Sequence, residues 1–301
     1  MDGPLPRPHR GWPATVRVIC GLCGLATVAW LWQFWHWYRI DEIVRVARAA
    51  GNTVEFHPSQ IRGPFRIPLV PLLRDAPSSV KLSNSDVDAR WYGRLAVLTE
   101  ATHLELDRTK IDDAGMRQLR HMRQLKELSL WQTSITDDGL ASLAELKNLT
   151  DLSLPDAITD SGLVHLRGLT SLRSLNLNDT RVTDAGLAHL KGLIGLRSLI
   201  LLRTRVTDAG LVHLKGLKML ERIGLSNTQI TSAGMEDLRA LRSLKEIYVG
   251  GTRVTDAGLA HLRGLNLESL EIDGTQITDA GMEHAGVADL KRSLPGLRVA
   301  R

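Results

Sequence analysis

The sequence predicts an α/β solenoid preceded by one transmembrane helix, with a parallel sheet on one face and helices on the other. Three observations carry this. A glycine within TDAGL or a near variant recurs at Gly115, Gly139, Gly162, Gly186, Gly210, Gly234, Gly258 and Gly281, always 23 or 24 residues apart. A period in the twenties marks stacked units, each too small to bury its own apolar face. Every unit also carries a short alternating apolar pair, such as Leu175/Leu177 or Leu199/Leu201, which reads as a strand, followed by leucines at helical spacing. Finally, residues 18–38 contain no Asp, Glu, Lys or Arg.

At the front, 1–17 form a short tail. The run 18–38 is long enough for a helix to cross about 30 Å of hydrocarbon. Trp30, Trp32, Trp35, Trp37 and Tyr38 crowd its second half, as aromatic side chains do near headgroups. A cleaved signal peptide, with TVA before Trp30, competes with this reading. The apolar run continues past that point and favours an uncleaved signal anchor. Basic residues flank both ends, Arg7, Arg10 and Arg17 before and Arg39, Arg45 and Arg48 after. A short tail before a long domain gives the expected layout: single-pass, N-terminus cytoplasmic, repeats extracytoplasmic.

In the juxtamembrane and linker region, 39–79, DEIVRVARAAG has helical spacing and NTVEF offers a capping strand. The five-proline stretch that follows reads as an irregular connection. The repeat domain spans 80–301. Residues 80–103 form a degenerate capping repeat with Trp91 at the glycine position, and Leu297 and Val299 offer a last edge strand.

Composition narrows the function. Net charge is +5 with Lys and Arg spread along the chain, which argues against nucleic acid. The two cysteines, Cys20 and Cys23, both lie in the apolar run, so no disulfide framework can form elsewhere. Aromatics are 4% of residues, leaving an aliphatic core. No P-loop, HExxH helix or GxSxG elbow is present, and no nucleophile–base pair stands out from the repeat. No cofactor, metal or catalytic residue is expected.

The unit LRSLNLNDTRVTDAGLAHLKGL resembles the leucine-rich repeat family over residues 80 to 301. It is similar to the cysteine-containing subclass, with Thr where that subclass has Cys or Asn, and to bacterial membrane-anchored repeat proteins. The resemblance implies a horseshoe of eight to nine repeats, sheet concave and helices convex. A scaffold family says little about function.

Within each unit, the strand leucines should stack into a continuous spine. Thr109, Thr133, Thr180, Thr204, Thr228, Thr252 and Thr275 follow the strands, where a hydroxyl can satisfy the turning backbone. Ala157 interrupts this column, so the third repeat should be locally weaker. Thr183, Thr207 and Thr255 sit at helix N-cap positions, with Asp184, Asp208 and Asp256 in the first turn, where the helix dipole favours an acid. The fixed glycine implies close approach of backbones between units. His165, His189, His213 and His261, with His284 aligned, share one helical position. Gln118, Ser142 and Asp237 fill that column elsewhere, so it reads as local hydrogen bonding rather than a metal ladder.

Function should lie where repeats differ. Trp131, Pro155, Ile200, Leu202 and Tyr248 fall on the concave face, where large apolar groups mark a binding surface. The expected role is a membrane-anchored module, held by 18–38, that binds an unknown protein partner there. A self-associating envelope component is the alternative. An F-box-like ubiquitin-ligase adaptor ranks lower, since no F-box-like segment precedes the repeats.

Overall fold

The computed structural model describes residues 98–281 throughout, together with 43, 45, 47–48, 51, 53–56, 77–85, 92–95 and 296–300. The expected tail and membrane span, 1–38, lie outside the described residues. Among those described, no helix is long and apolar enough to cross a membrane. From the juxtamembrane region, Ile43 and Ala47 stand one helical turn apart and are fully buried in the same core as the repeats.

Eleven strands form one sheet in chain order. They are β1 (Val54–Phe56), β2 (Pro77–Lys81), β3 (His103–Glu105), β4 (Glu127–Ser129), β5 (Asp151–Ser153), β6 (Ser174–Asn176), β7 (Ser198–Ile200), β8 (Arg222–Gly224), β9 (Glu246–Tyr248), β10 (Ser269–Glu271) and β11 (Arg298–Ala300). β1 caps the sheet antiparallel to β2, and every other pairing is parallel. Register aligns equivalent residues, so Leu175 faces Leu199 and Leu199 faces Ile223. Each middle residue points into the core while its two neighbours point out to the concave face. Fully burying one such leucine contributes roughly 1.5–3 kcal/mol.

The chain leaves each strand through a tight turn. Arg108, Asp179, Arg203 and Asn227 adopt positive φ there. Their N–H groups donate to a carbonyl of the next repeat, Asp179 to Leu202 at 2.9 Å and Asn227 to Gly250 at 2.7 Å. The threonine one residue later turns its hydroxyl back on its own strand. Thr180 Oγ1 donates to the Leu177 carbonyl at 2.7 Å, and Thr204 to that of Leu201 at 2.7 Å. Both threonines are buried, so the hydroxyl serves a carbonyl that water cannot reach.

The convex side is shorter than helical spacing implied. In most repeats it is one α turn followed by one 3₁₀ turn, as in Asp184–Leu187 and Ala188–Leu190. Only Asp113–Leu119 and Ser232–Leu238 run seven residues as α-helix among the described residues.

The glycine of TDAGL makes room for a carboxylate, not for a neighbouring backbone. Asp160 accepts the Thr183 N–H at 2.7 Å on Oδ1 and the Thr183 hydroxyl at 2.6 Å on Oδ2. The same fork joins Asp113 to Thr136, Asp137 to Thr159, Asp184 to Thr207, Asp208 to Thr231 and Asp256 to Thr278. A Cβ on Gly186 would stand 2.3 Å from Asp160 Oδ1, closer than a Cβ approaches any non-bonded atom. Each aspartate is therefore a joint to the following repeat.

The third repeat differs by a deletion. Between Leu154 and Ile158 stand three residues, Pro155, Asp156 and Ala157, where its neighbour has Asn178, Asp179, Thr180 and Arg181. No positive-φ residue occurs there, and Ile158 N–H closes the turn on the Pro155 carbonyl at 3.3 Å. Ala157 thus belongs to a shorter turn that dispenses with the left-handed residue.

Candidate functional site

The concave face divides in two. Across β2 to β6 it forms an open trough of about 500 Å³, lined by Lys81, His103, Glu105, Glu127, Asp151 and Asn176 among others. Neighbouring strands bring nitrogen and carboxylate groups together. Lys81 Nζ lies 3.6 Å from Glu105 Oε2, and His103 Nε2 lies 3.0 Å from Glu127 Oε1. The His103 ring is held from its other nitrogen by Thr102 Oγ1 at 2.7 Å. At the trough's rim the Asp107 carboxylate accepts from Ser129 Oγ at 2.6 Å and from the Trp131 N–H at 2.8 Å. Arg108 stacks on the Trp131 ring, 4.7 Å from its centroid.

From β7 to β9 an apolar patch interrupts the face beside the Arg222–Glu246 ion pair. Gly224 is the cause, because its missing side chain lets two residues of the preceding repeat lean across. A Cβ there would stand 2.6 Å from Leu202 Cδ1 and 3.1 Å from Ile200 Cγ2. Ile200 and Leu202 form a half-buried shelf over the sheet. Tyr248 faces Gly224 across the β8–β9 pairing and borders the shelf. Its hydroxyl donates to Glu246 Oε2 at 2.6 Å, while Arg222 grips the same carboxylate at 2.7 and 2.9 Å. Hydrogen bonds from Arg222 first, then Tyr248, hold the Glu246 carboxyl down at about 2, and the bond to Glu246, followed by burial, raises the Tyr248 hydroxyl above its usual value. Ser226, the next residue in the column of Leu202, is buried, and its hydroxyl finds no partner among the described residues.

Of the expected face residues, Trp131, Ile200, Leu202 and Tyr248 are half-buried, not fully solvent-facing. Pro155 is buried, because the shortened turn of its repeat draws the chain inward. Ile200, Leu202 and Tyr248 come together across β7 to β9, while Trp131 stands three repeats from Leu202, on the trough side. At the joints, Thr183 and Thr207 accept from the N–H groups of Ala185 at 3.4 Å and Ala209 at 3.3 Å. Thr255 holds the N-cap position without a side-chain cap bond. Ser232 stands there in place of the joint aspartate, with its Oγ 2.9 Å from Thr255 Oγ1. Asp184, Asp208 and Asp256 bond to the next repeat more than to their own helix.

The histidine column is partly buried on the convex side, with His284 outside the described residues. His189 Nδ1 lies 2.6 Å from Arg167 Nη2, and burial followed by that cation lowers its pKa, which favours the neutral ring. No cluster of three or more His, Cys, Asp or Glu that could hold a metal occurs among the described residues.

Sequence reasoning missed the trough and the most exposed apolar groups. Val164, Ile194, Val212 and Met219 lie off the concave face. Ile194 was legible as an isoleucine in a column of Arg123, Lys147, Thr170, Lys218 and Arg242.

A tight parallel sheet with one strand per 23–24 residues, backed by single α and 3₁₀ turns, defines a repeat scaffold built to present its concave face. The leucine-rich repeat family profile matches residues 168–190 and 265–283. The chain is a leucine-rich repeat protein. Internalin C2 of Listeria monocytogenes is similar at 24% identity and TM-score 0.50, over 69% of this chain and 84% of that one. A leucine-rich repeat protein of Leptospira interrogans is similar at 17% identity and TM-score 0.49, over 74% and 59%. An internalin of Listeria monocytogenes, internalin F, is similar at 20% identity and TM-score 0.40, over 74% and 84%. No curated protein matches the chain in sequence.

Proposed function

We propose that the chain is a membrane-anchored, non-enzymatic module that binds a protein partner on its concave face. The anchor is the 18–38 run, with the N-terminus cytoplasmic and the repeats outside. The observation that carries the reading is the Ile200–Leu202 shelf over Gly224. Glycine removes the side chain that would otherwise fill that strand position, so the sheet presents aliphatic carbon where the strands before it carry Glu105, Ser129, Ser153 and Asn176. Tyr248 adds an aromatic edge, the kind of group that anchors interfaces. The carboxylates Glu105, Glu127 and Asp151 of the trough match a partner with an apolar anchor followed by basic residues.

The test is site-specific photo-crosslinking in native membranes from positions 202 and 248, against position 212 on the convex side. The same partner captured from 202 and 248 but not from 212 is the expected result. Adducts only with a second copy of the chain would replace partner binding by self-association. No adduct from the concave positions would end the proposal.

A further inference from the structure

The returns from helix to strand line one edge of the solenoid, opposite the edge that carries the aspartate joints. Segments 120–126, 144–150, 167–173, 191–197, 215–221, 239–245 and 263–268 hold fourteen Lys or Arg, three Glu and no Asp. The whole chain carries only +5, so this edge concentrates positive charge and the remainder is net negative. All fourteen basic residues are exposed. Neighbouring returns are in direct contact: Arg173 Nη1 reaches the Gly195 carbonyl at 3.3 Å and Lys218 Nζ the Ala240 carbonyl at 3.0 Å. All three glutamates are already paired, Glu145 with Arg123, Glu221 with Arg197 and Lys245, and Glu268 with Lys245.

In the middle of this edge stand two bare aliphatic side chains, Ile194 at 65% exposure and Met219 at 43%. One repeat apart, they are bordered in sequence by Lys191, Arg197, Lys215 and Lys218. Single exposed apolar residues are ordinary on a surface. Two neighbours inside a basic ridge are not, because they join the two features that bring a protein to an anionic bilayer. Cations are drawn to lipid phosphates and acidic headgroups, and aliphatic groups enter the headgroup boundary. Nucleic acid fits less well, since these segments contain no Phe, Trp or Tyr on which a base could stack.

We propose that this edge docks on an anionic lipid surface, with Ile194 and Met219 entering the headgroup layer and the surrounding Lys and Arg contacting phosphates. The concave face plays no part in it, so either assignment can fail without the other.

The test uses the full chain with Cys20→Ser and Cys23→Ser, and a polarity-sensitive dye on Ile194→Cys. Dye emission should shift to the blue on vesicles of phosphatidylcholine with phosphatidylglycerol. It should stay unshifted on phosphatidylcholine alone and return in high salt. The same dye on Val164→Cys, on the convex side, should not respond. Lys191→Glu with Lys218→Glu should abolish the shift; if that pair fails to fold by circular dichroism, the lipid and salt series decide. No shift on anionic vesicles, an equal shift on neutral ones, or an equal response at 164 overturns the proposal.

Discussion

At the scale of single residues, the decisive contact is a carboxylate seated against a glycine 26 positions later. Gly186→Ala puts a methyl group where Asp160 Oδ1 sits, and overpacking of this kind costs about 1–3 kcal/mol. In an Asp160→Ala background most of that cost should vanish, leaving only the looser contacts to Val182 at 3.0 Å and Leu163 at 3.1 Å. Urea denaturation of the four proteins in this cycle should therefore show strong non-additivity, on the order of 0.5–3 kcal/mol. Additive effects would mean the glycine answers to something else. This joint was only half legible in sequence. Gly and Asp recur visibly, but a bond from one repeat's carboxylate to the next repeat's backbone leaves no local signature, so the aspartates read as helix-dipole partners.

Glu246 gives a second residue-scale expectation. Its carboxyl is held at about 2, below the ordinary 4.5, by Arg222 and Tyr248. A depressed carboxyl adds stability that is complete above pH 4.5 and disappears as the pH falls towards 2. The stability gap between wild type and Glu246→Gln should be widest above pH 4.5 and close on acidification. Denaturation curves across that range decide it, and a constant gap would contradict the pairing.

At the scale of the element, one repeat is strand, left-handed turn, α turn, 3₁₀ turn and return. Strand and turn were legible because the alternation of Leu pairs and the threonine after them are fixed by burial. The third repeat was misread because a deletion and a substitution look alike when only one position is compared. The spacing of 23 between Gly139 and Gly162 held the signal, and Pro155 follows from it. The threonine column makes a quantitative expectation. Thr204→Val keeps the shape but removes the hydroxyl donor to the Leu201 carbonyl, leaving it the longer Thr204 N–H bond at 3.3 Å, and should cost about 1 kcal/mol in a thermal or chemical melt. An unchanged midpoint would mean that the carbonyl does not need the hydroxyl.

At the scale of the molecule, residues repeated in every unit serve the stack and residues that vary decorate its surfaces. The variation is unevenly placed: an open trough towards the N-terminal end of the concave sheet, an aliphatic shelf over Gly224 further along, and basic side chains along the return edge. Sequence columns located the concave candidates but could not show that Gly224 lets Ile200 and Leu202 fold over the sheet, since that requires knowing which strand lies beside which. The central claim is this division of labour between joints and face. Its most direct measurement is the yield of partner crosslinked from position 248 in Leu202→Asp and in Asp184→Ala, both held below their unfolding midpoints. The shelf variant should lose the adduct and the joint variant should keep it. Retention in the shelf variant, or equal loss in both, would contradict the account.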